Sequence, residues 1–505
     1  MLDHLQDKHG THFENDIVNL EINTPNSDNS PLNCDTRKKI CQNLLNIEFE
    51  TTIQSVREDL LKSEAVCVTT DLWSSIQRYP YLGVTVNYFN ENLFLVSKNL
   101  ATKHLPGSHT SVNIRDGLID VFNEWEISEK IIGLVTDNAS NTINLAELIN
   151  EYYLDISTGS TSNNILQFSC AAHVLNLIVK KALNFGKDLI EDDINNFDEN
   201  DSLQVIASAF HQSQVLNDCL NLKQAFLNIK QHEITQDVCT RWNSTYLMLE
   251  RINEQVEAIN EVVSEKNFRK KFESLTISVI ELVMLKEAIG ILDYFYQATV
   301  ELSANKYVTI SIVLPTFYCL KEALMPETKD SDFILTLKKV LYHYIDFYTT
   351  KYNIFEKDNK KAINFIKKLN LGLSQPLTNK INNKDEYDVN ENSLEPKAKL
   401  QIFDTDKDYN SKTVKAKVAK LTGIDRELFC YNLESTYIND PIEFWKLNKK
   451  NFPLLFRIFK RLFCIPVTPV PSEELFSKSG YTIWDRRCKI KPVKVNKMMV
   501  IYGNL

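Results

Sequence analysis

The sequence lacks a surplus of positive charge. Lys and Arg number 57 against 66 Asp and Glu, a formal net charge of −9. DNA affinity comes largely from neutralising phosphates, so this balance argues against a uniformly basic nucleic-acid binder and leaves room only for a local patch. The chain also lacks any apolar run near the roughly 18 residues that would point to a membrane span. Its most apolar long stretch, SVIELVMLKEAIGILDYFYQATV at 278–300, carries Glu281, Lys286, Glu287 and Asp293 and reads as a buried helix. The ten cysteines form no regular framework, which fits thiols in a reducing compartment, cytosol or nucleus. The opening MLDHLQDKHG has acidic residues and no apolar h-region, so no secretory signal is expected there. No internal repeat of fixed period is visible.

What is there is length and patterned hydrophobicity. A chain of 505 residues with 43% hydrophobic content has room for several domains, or for one large domain with an insertion. Residues 14–37 are polar with two prolines and read as linker. Leu45, Ile47, Phe49, Ile53, Val56 and Leu60 are spaced for an amphipathic helix over about 46–64. Strands are expected at 65–71, 81–89 and 92–98, the last two joined by a turn at NEN. A helix over 110–125 with a Ser or Thr cap follows, then a strand at 131–136, a helix at 141–153, a strand near 165–169 and a helix at 170–184. Strands interleaved with helices in this order make an α/β layer design. From 203 to about 370 helical period dominates and glycine is scarce, which reads as an all-α region. Residues 375–413 are polar and charged and read as a disordered connector.

Two apolar, β-branched runs each deliver one aspartate at their end: Asp71 in CVTTDLWSS and Asp137 in IIGLVTDNASN. Carboxylates at the ends of two buried strands suggest a site for a hard divalent cation, although strand-end aspartates also serve simply as turn formers. Two carboxylates are one too few for most metal-assisted phosphoryl chemistry. A third acidic residue in an unusual context lies near the far end, where CIPVTPVPSEELFSKSG places Glu473 and Glu474 just after a capping Ser472.

That C-terminal stretch resembles the signature of the hAT-superfamily transposases and of the zinc finger BED domain-containing proteins derived from them. Ser472, Glu473, Phe476, Ser477 and Gly480 are followed by Asp485, Arg486 and Arg487, and Asn504 and Leu505 close the chain. TTDLWSS, VTDNASN, CAAHVLNLIV with Cys170 and His173, TRWNSTYLMLERI with Arg241 and Trp242, ATVELSANKYVTISIVLP and DPIEFWKLNKKNFPLL are similar to family segments and stand in family order.

The resemblance implies an α/β RNase H-like (DDE transposase) core interrupted by a long all-α insertion domain, with a C-terminal hAT dimerisation region. The implied division is 1–11 as the remnant of a BED-type zinc finger, 12–45 as linker and 46–185 as the first part of the core. The insertion follows at 186–430, and 431–505 completes the core with the dimerisation region. It further implies that Asp71, Asp137 and Glu473 hold two Mg²⁺ or Mn²⁺ ions for DNA cleavage and strand transfer. Arg241, Trp242, Arg486 and Arg487 would contact DNA, with a packed core tryptophan as the plain alternative for Trp242. Cys170 and His173 would be structural or close to the metal centre.

His4 and His9 match the last half of a BED finger whose cysteines are missing, so zinc is not expected there. Residues 441–505 hold 13 Lys or Arg against 4 acidic residues, a local basic patch. Leu454, Leu455, Phe459, Leu462 and Phe463 fit either a dimer interface or core packing. The expected partners are DNA and a second copy of the chain, as a homodimer or higher homo-oligomer, with no membrane; the expected location is the nucleus. Glu474 stands where the family pattern has Arg. The intact Asp71, Asp137 and Glu473 favour an active transposase, whereas Glu474 and the incomplete finger favour the alternative of a domesticated, non-catalytic DNA-binding and dimerising transcriptional regulator.

Overall fold

The structure, a computed structural model, describes residues 34–75, 78–156, 164–193, 202–237, 242–268, 275–304, 308–352, 421–433, 441–468 and 490–504. His4, His9, Arg241, Glu473, Arg486 and Arg487 lie outside them, as does the charged stretch at 375–413. The chain divides into two compact units, Met1–Thr51 and Thr52–Leu505. Helix α1 spans Cys34–Lys62, so the final part of the segment read as linker is helical. Arg37, Lys38, Lys39, Gln42, Leu44 and Leu45 are good helix formers, and no proline interrupts them. Within the first unit, Thr51 Oγ1 donates back one turn to Ile47 O at 3.0 Å.

The second unit is built on a five-stranded mixed sheet in the order β3-β2-β1-β4-β5. Its strands are β1 (Val66–Ser74), β2 (Pro80–Phe89), β3 (Leu95–His104), β4 (Ile131–Thr136) and β5 (Leu166–Ser169). β1, β2 and β3 pair antiparallel, whereas β1 pairs parallel with β4 and β4 with β5. Every residue of β4 is buried, as expected for a run of apolar and β-branched residues between two parallel neighbours. At the NEN turn, Asn90 Oδ1 accepts from the N–H groups of Asn92 (3.0 Å) and Phe94 (2.9 Å). Helices α2 (Ser111–Glu124) and α3 (Leu145–Ile156) make the crossovers. Thr110 caps α2 by accepting from Asn113 N. Gly117 lets α2 approach closely: a Cβ there would lie 2.9 Å from Leu105 Cδ1.

After β5 the chain becomes helical: α4 (Ala171–Asp193), α5 (Ser202–Gln212), α6 (Gln214–Leu227), α7 (Trp242–Val263), α8 (Val279–Leu302), α9 (Val313–Ala323) and α10 (Asp332–Lys351). Helix α4, expected with the sheet, instead packs into this helical region. Val174, Leu175, Ile178 and Val179 share a core with Leu292, Phe295, Phe317, Leu341 and Ile345. Its apolar residues cover more than one face, so it needs helical neighbours as well as the strand it follows.

The C-terminal part of the chain, from Gly423 onward, returns to the sheet. Helices α11 (Gly423–Leu433), α12 (Pro441–Asn448) and α13 (Pro453–Leu462) bring Trp445, Phe452, Leu455 and Phe459 into one core with Cys67, Phe89, Ile132 and Val135. Leu455 and Phe459 are therefore packing residues of the sheet layer. Glu427 holds α13 in place by accepting from Leu454 N (3.1 Å) and Leu455 N (2.8 Å) at that helix's open N-terminus.

Helix α14 (Pro492–Asn504) covers the exposed edge of β3. Asn496 Oδ1 accepts from Thr102 N at 2.7 Å. Asn504 accepts from Asn99 N at 3.2 Å and donates to Asn99 O at 2.8 Å. These bonds replace the missing next strand and close an edge that would otherwise template further pairing. Among the described residues no helix is long and apolar enough to cross a membrane.

Because Asn504 satisfies both backbone groups of Asn99, Asn504→Ala should lower unfolding free energy by about 1–3 kcal/mol. Urea denaturation followed by circular dichroism measures this, and a change within error would show that the edge is held by other contacts.

Candidate functional site

The site begins with strand register. β1 and β4 run parallel with Thr69 beside Val135; continued by two residues, this register sets Asp71 beside Asp137, just past the end of β4. Neighbouring strands are about 4.8 Å apart, which brings the two carboxylates to the same end of the sheet. Across β1's other flank, Asp71 pairs with Gly83 of β2, which presents no side chain on that face. Asp71 Oδ1 accepts from Leu72 N at 2.8 Å. Both aspartates are half-buried.

Asp137 is held by a loop that folds back on it. Thr142 Oγ1 lies 2.7 Å from Asp137 Oδ1 and 2.9 Å from Asp137 O, and Ala139 N donates to the same Oδ1 at 3.4 Å. Thr136 Oγ1, which donates to Asp137 O, accepts in turn from Gln167 Nε2 of β5 at 2.8 Å. Asn141 Nδ2 ties this loop to His109 O at 3.0 Å. Neither Thr142 nor Gln167 was legible as a site residue. A threonine after a strand-end aspartate and a glutamine in a short strand carry no distinctive pattern.

Cys170 and His173 flank the same sheet end. Cys170 N donates to Thr136 O at 3.0 Å, and the buried Cys170 Sγ accepts from His173 N at 3.3 Å, capping α4. Burial pushes the His173 imidazole pKa down from its ordinary value; the Asp137 carboxylate opposes that shift, and Lys180 reinforces it. The cysteine thus serves the helix start, and the imidazole lies within electrostatic reach of Asp137. Among the described residues no three His, Cys, Asp or Glu side chains group as a metal site would require. The hard oxygens of Asp71 and Asp137 nevertheless fit a Mg²⁺ or Mn²⁺ ion in donor type.

The C-terminal segment passes on both sides of this end. Val467 O accepts from Ala171 N at 2.8 Å, directly after Cys170. Beyond the undescribed stretch, Ile490 packs with Trp73, Tyr81, Val495 and Met499. Trp73 lies two residues after Asp71 on the same face of β1 and stacks on Tyr81 with ring centroids 4.8 Å apart.

Trp242 departs from expectation. It is 1% exposed and sits in the helical core with Ala171, Leu175 and Phe295, its ring edge-on to Tyr246. Trp242 N donates to Asn176 Oδ1 at 3.0 Å. A base-stacking platform needs an open ring face, so the packed-core alternative describes Trp242 here, and its assignment as a DNA contact is corrected accordingly.

Comparison with known proteins gives three matching family models. Residues 69–160 match the ZBED1 RNase-like domain and residues 168–281 the ZBED1 RNase-like helical domain. Residues 427–505 match the hAT family C-terminal dimerisation region. Among curated proteins, a "Putative AC transposase" of Zea mays is 25% identical over 258 residues, 51% of this chain and 30% of that protein. A "Putative transcriptional regulator tpeD" of Talaromyces stipitatus is 21% identical over 88% of this chain and 54% of its own length. The human "Zinc finger BED domain-containing protein 4" is 23% identical over 85% of this chain and 36% of its own length. The chain thus spans between about a third and about half of these relatives. The boundary between the first two matched regions falls at β5, where the sheet hands over to α4.

Truncating the buried Trp242 to Ala should lower stability by about 3–5 kcal/mol, read from denaturant unfolding. A loss below about 1 kcal/mol would mean that the ring is not packed as described.

Proposed function

We propose that this chain, which carries the RNase-like, helical and dimerisation regions of the hAT transposases and their BED-finger relatives, is a transposase-derived nuclear protein that binds DNA as a homodimer or higher homo-oligomer and cuts it. The observation that supports the reading is the parallel β1–β4 register with Thr69 beside Val135, which, continued by two residues, sets Asp71 beside Asp137.

Asp71, Asp137 and Glu473 would hold two Mg²⁺ or Mn²⁺ ions, which when bound activate the attacking oxygen of a phosphodiester displacement and stabilise the leaving one. The chain's own part is to fix the carboxylates. The β1–β4 pairing sets the spacing of Asp71 and Asp137, and the Thr142 and Thr136–Gln167 bonds hold the Asp137 loop. Glu473 follows Thr468 by five residues, so an extended chain allows it up to about 18 Å of reach from a point beside the start of α4. Arg241, Arg486, Arg487 and the lysines of the 441–505 patch would meet phosphates. Water attack breaks the phosphodiester and frees a 3′-hydroxyl; attack by that hydroxyl on a second phosphodiester joins strands with the displaced oxygen as leaving group.

A second reading keeps DNA binding and dimerisation without cleavage, as a transcriptional regulator. The Talaromyces relative named a putative transcriptional regulator, aligned over 88% of this chain, favours it, as does Glu474 in place of the family arginine.

Purified chain incubated with Mn²⁺ and a pre-nicked duplex separates the two. Metal-dependent strand cleavage, removed by a chelator and abolished by Asp71→Asn or Asp137→Asn, is the expected result. Stable DNA binding with no cleavage at any metal concentration would select the regulator.

A further inference from the structure

The Asp137 carboxylate is held asymmetrically, and that asymmetry assigns different tasks to its two oxygens. Oδ1 takes the Thr142 hydroxyl at 2.7 Å and the longer approach of Ala139 N at 3.4 Å. Among the described residues no hydrogen bond reaches Oδ2. Thr142 is buried and is held where it is by its own turn, in which Thr142 N donates to Ala139 O at 3.1 Å. Its hydroxyl has one proton and three acceptors within reach: Asp137 Oδ1, Asp137 O and Ala139 O at 3.0 Å. The carboxylate is the only charged acceptor of the three. A hydrogen bond to an ionised oxygen is about twice as strong as one to a neutral carbonyl, so the proton goes to Oδ1. The carboxylate plane is then fixed from one side, with rotation about Cβ–Cγ opposed.

We propose that Thr142 is a positioning residue for Asp137: it occupies Oδ1 and turns Oδ2 outward as the oxygen that receives a divalent cation, so that Asp137 ligates through one oxygen. This rests on the reading of Asp137 as a metal ligand. The Gln167–Thr136 bond steadies the same loop from β5, where Gln167 Oε1 also accepts from Ala146 N at 3.0 Å and so joins the loop to α3. Asp137 is thereby tied to β5 and to α3 through side chains that never need to touch a cation themselves.

The test is Mn²⁺ binding to the full chain, followed by electron paramagnetic resonance of the free ion, for wild type, Asp137→Asn, Thr142→Val and Thr142→Ser. Removing a partner that orients a metal ligand weakens binding by about ten- to a hundredfold, and Thr142→Val should fall in that range. Thr142→Ser keeps the hydroxyl and should bind close to wild type. Circular dichroism and melting confirm that each variant is folded; Thr142→Ala replaces the valine variant should that one unfold. Weak binding by Asp137→Asn together with wild-type binding by Thr142→Val overturns the positioning role and leaves the metal site standing. If Asp137→Asn binds as tightly as wild type, or wild type binds no Mn²⁺, the metal-site reading falls and the positioning role falls with it.

Discussion

The parallel pairing of β1 with β4 is the constraint on which the rest depends. Hydrogen bonds between Val66–Thr69 and Ile131–Val135 fix the register, and a slip by one residue would turn each side chain to the opposite face. That register, continued by two residues, would bring two aspartates 66 positions apart in the chain (137 − 71) to one level. The antiparallel β1–β2 pairing then places Gly83 beside Asp71, and β5 brings Gln167 and Cys170 to the Asp137 side. The site is therefore a consequence of sheet order, and its loops refine what the strands have placed.

The far end of the chain is part of this sheet layer in the folded molecule. Trp445, Leu455 and Phe459 fill the core beneath Cys67 and Val135. Val467 hydrogen-bonds the start of α4, and Asn496 and Asn504 close the β3 edge. The region that matches the hAT dimerisation family thus also completes the fold of the RNase-like region. Removing it would uncover apolar surface on one face and unpaired backbone groups on the edge. Association of two copies and integrity of the five-stranded sheet are accordingly expected to depend on the same stretch.

Where sequence reading succeeded, the local pattern and the tertiary environment agreed. Ile131–Thr136 is an unbroken apolar and β-branched run ending at Asp137, and it forms β4 between those same limits. Thr110 precedes a helical period and caps it. The two aspartates could be singled out because each followed such a run; the site they would make belongs to the proposal. Elsewhere a distant partner decided the outcome. The end of β3, with Asn99, Thr102 and Lys103, looks too polar for a strand until α14 supplies asparagines to its edge. Cys34–Leu45 looks like linker because its charges hide a helix-forming run. Trp242 sits in the polar string TRWNSTY, yet the helix it opens turns that position toward α4. Thr142 and Gln167 had no signal of their own, since their roles exist only once the Asp137 loop is folded. Glu473, Arg241, Arg486 and Arg487 are carried by the resemblance.

The central claim is that the β1–β4 register makes one divalent-cation site from Asp71 and Asp137. A double-mutant cycle of Mn²⁺ affinity over Asp71→Asn, Asp137→Asn and the double variant tests it most directly. One shared site predicts strong non-additivity, with each single variant losing most of the binding and the double variant little more. Losses that simply add, or a single variant that binds as wild type does, would contradict a common site.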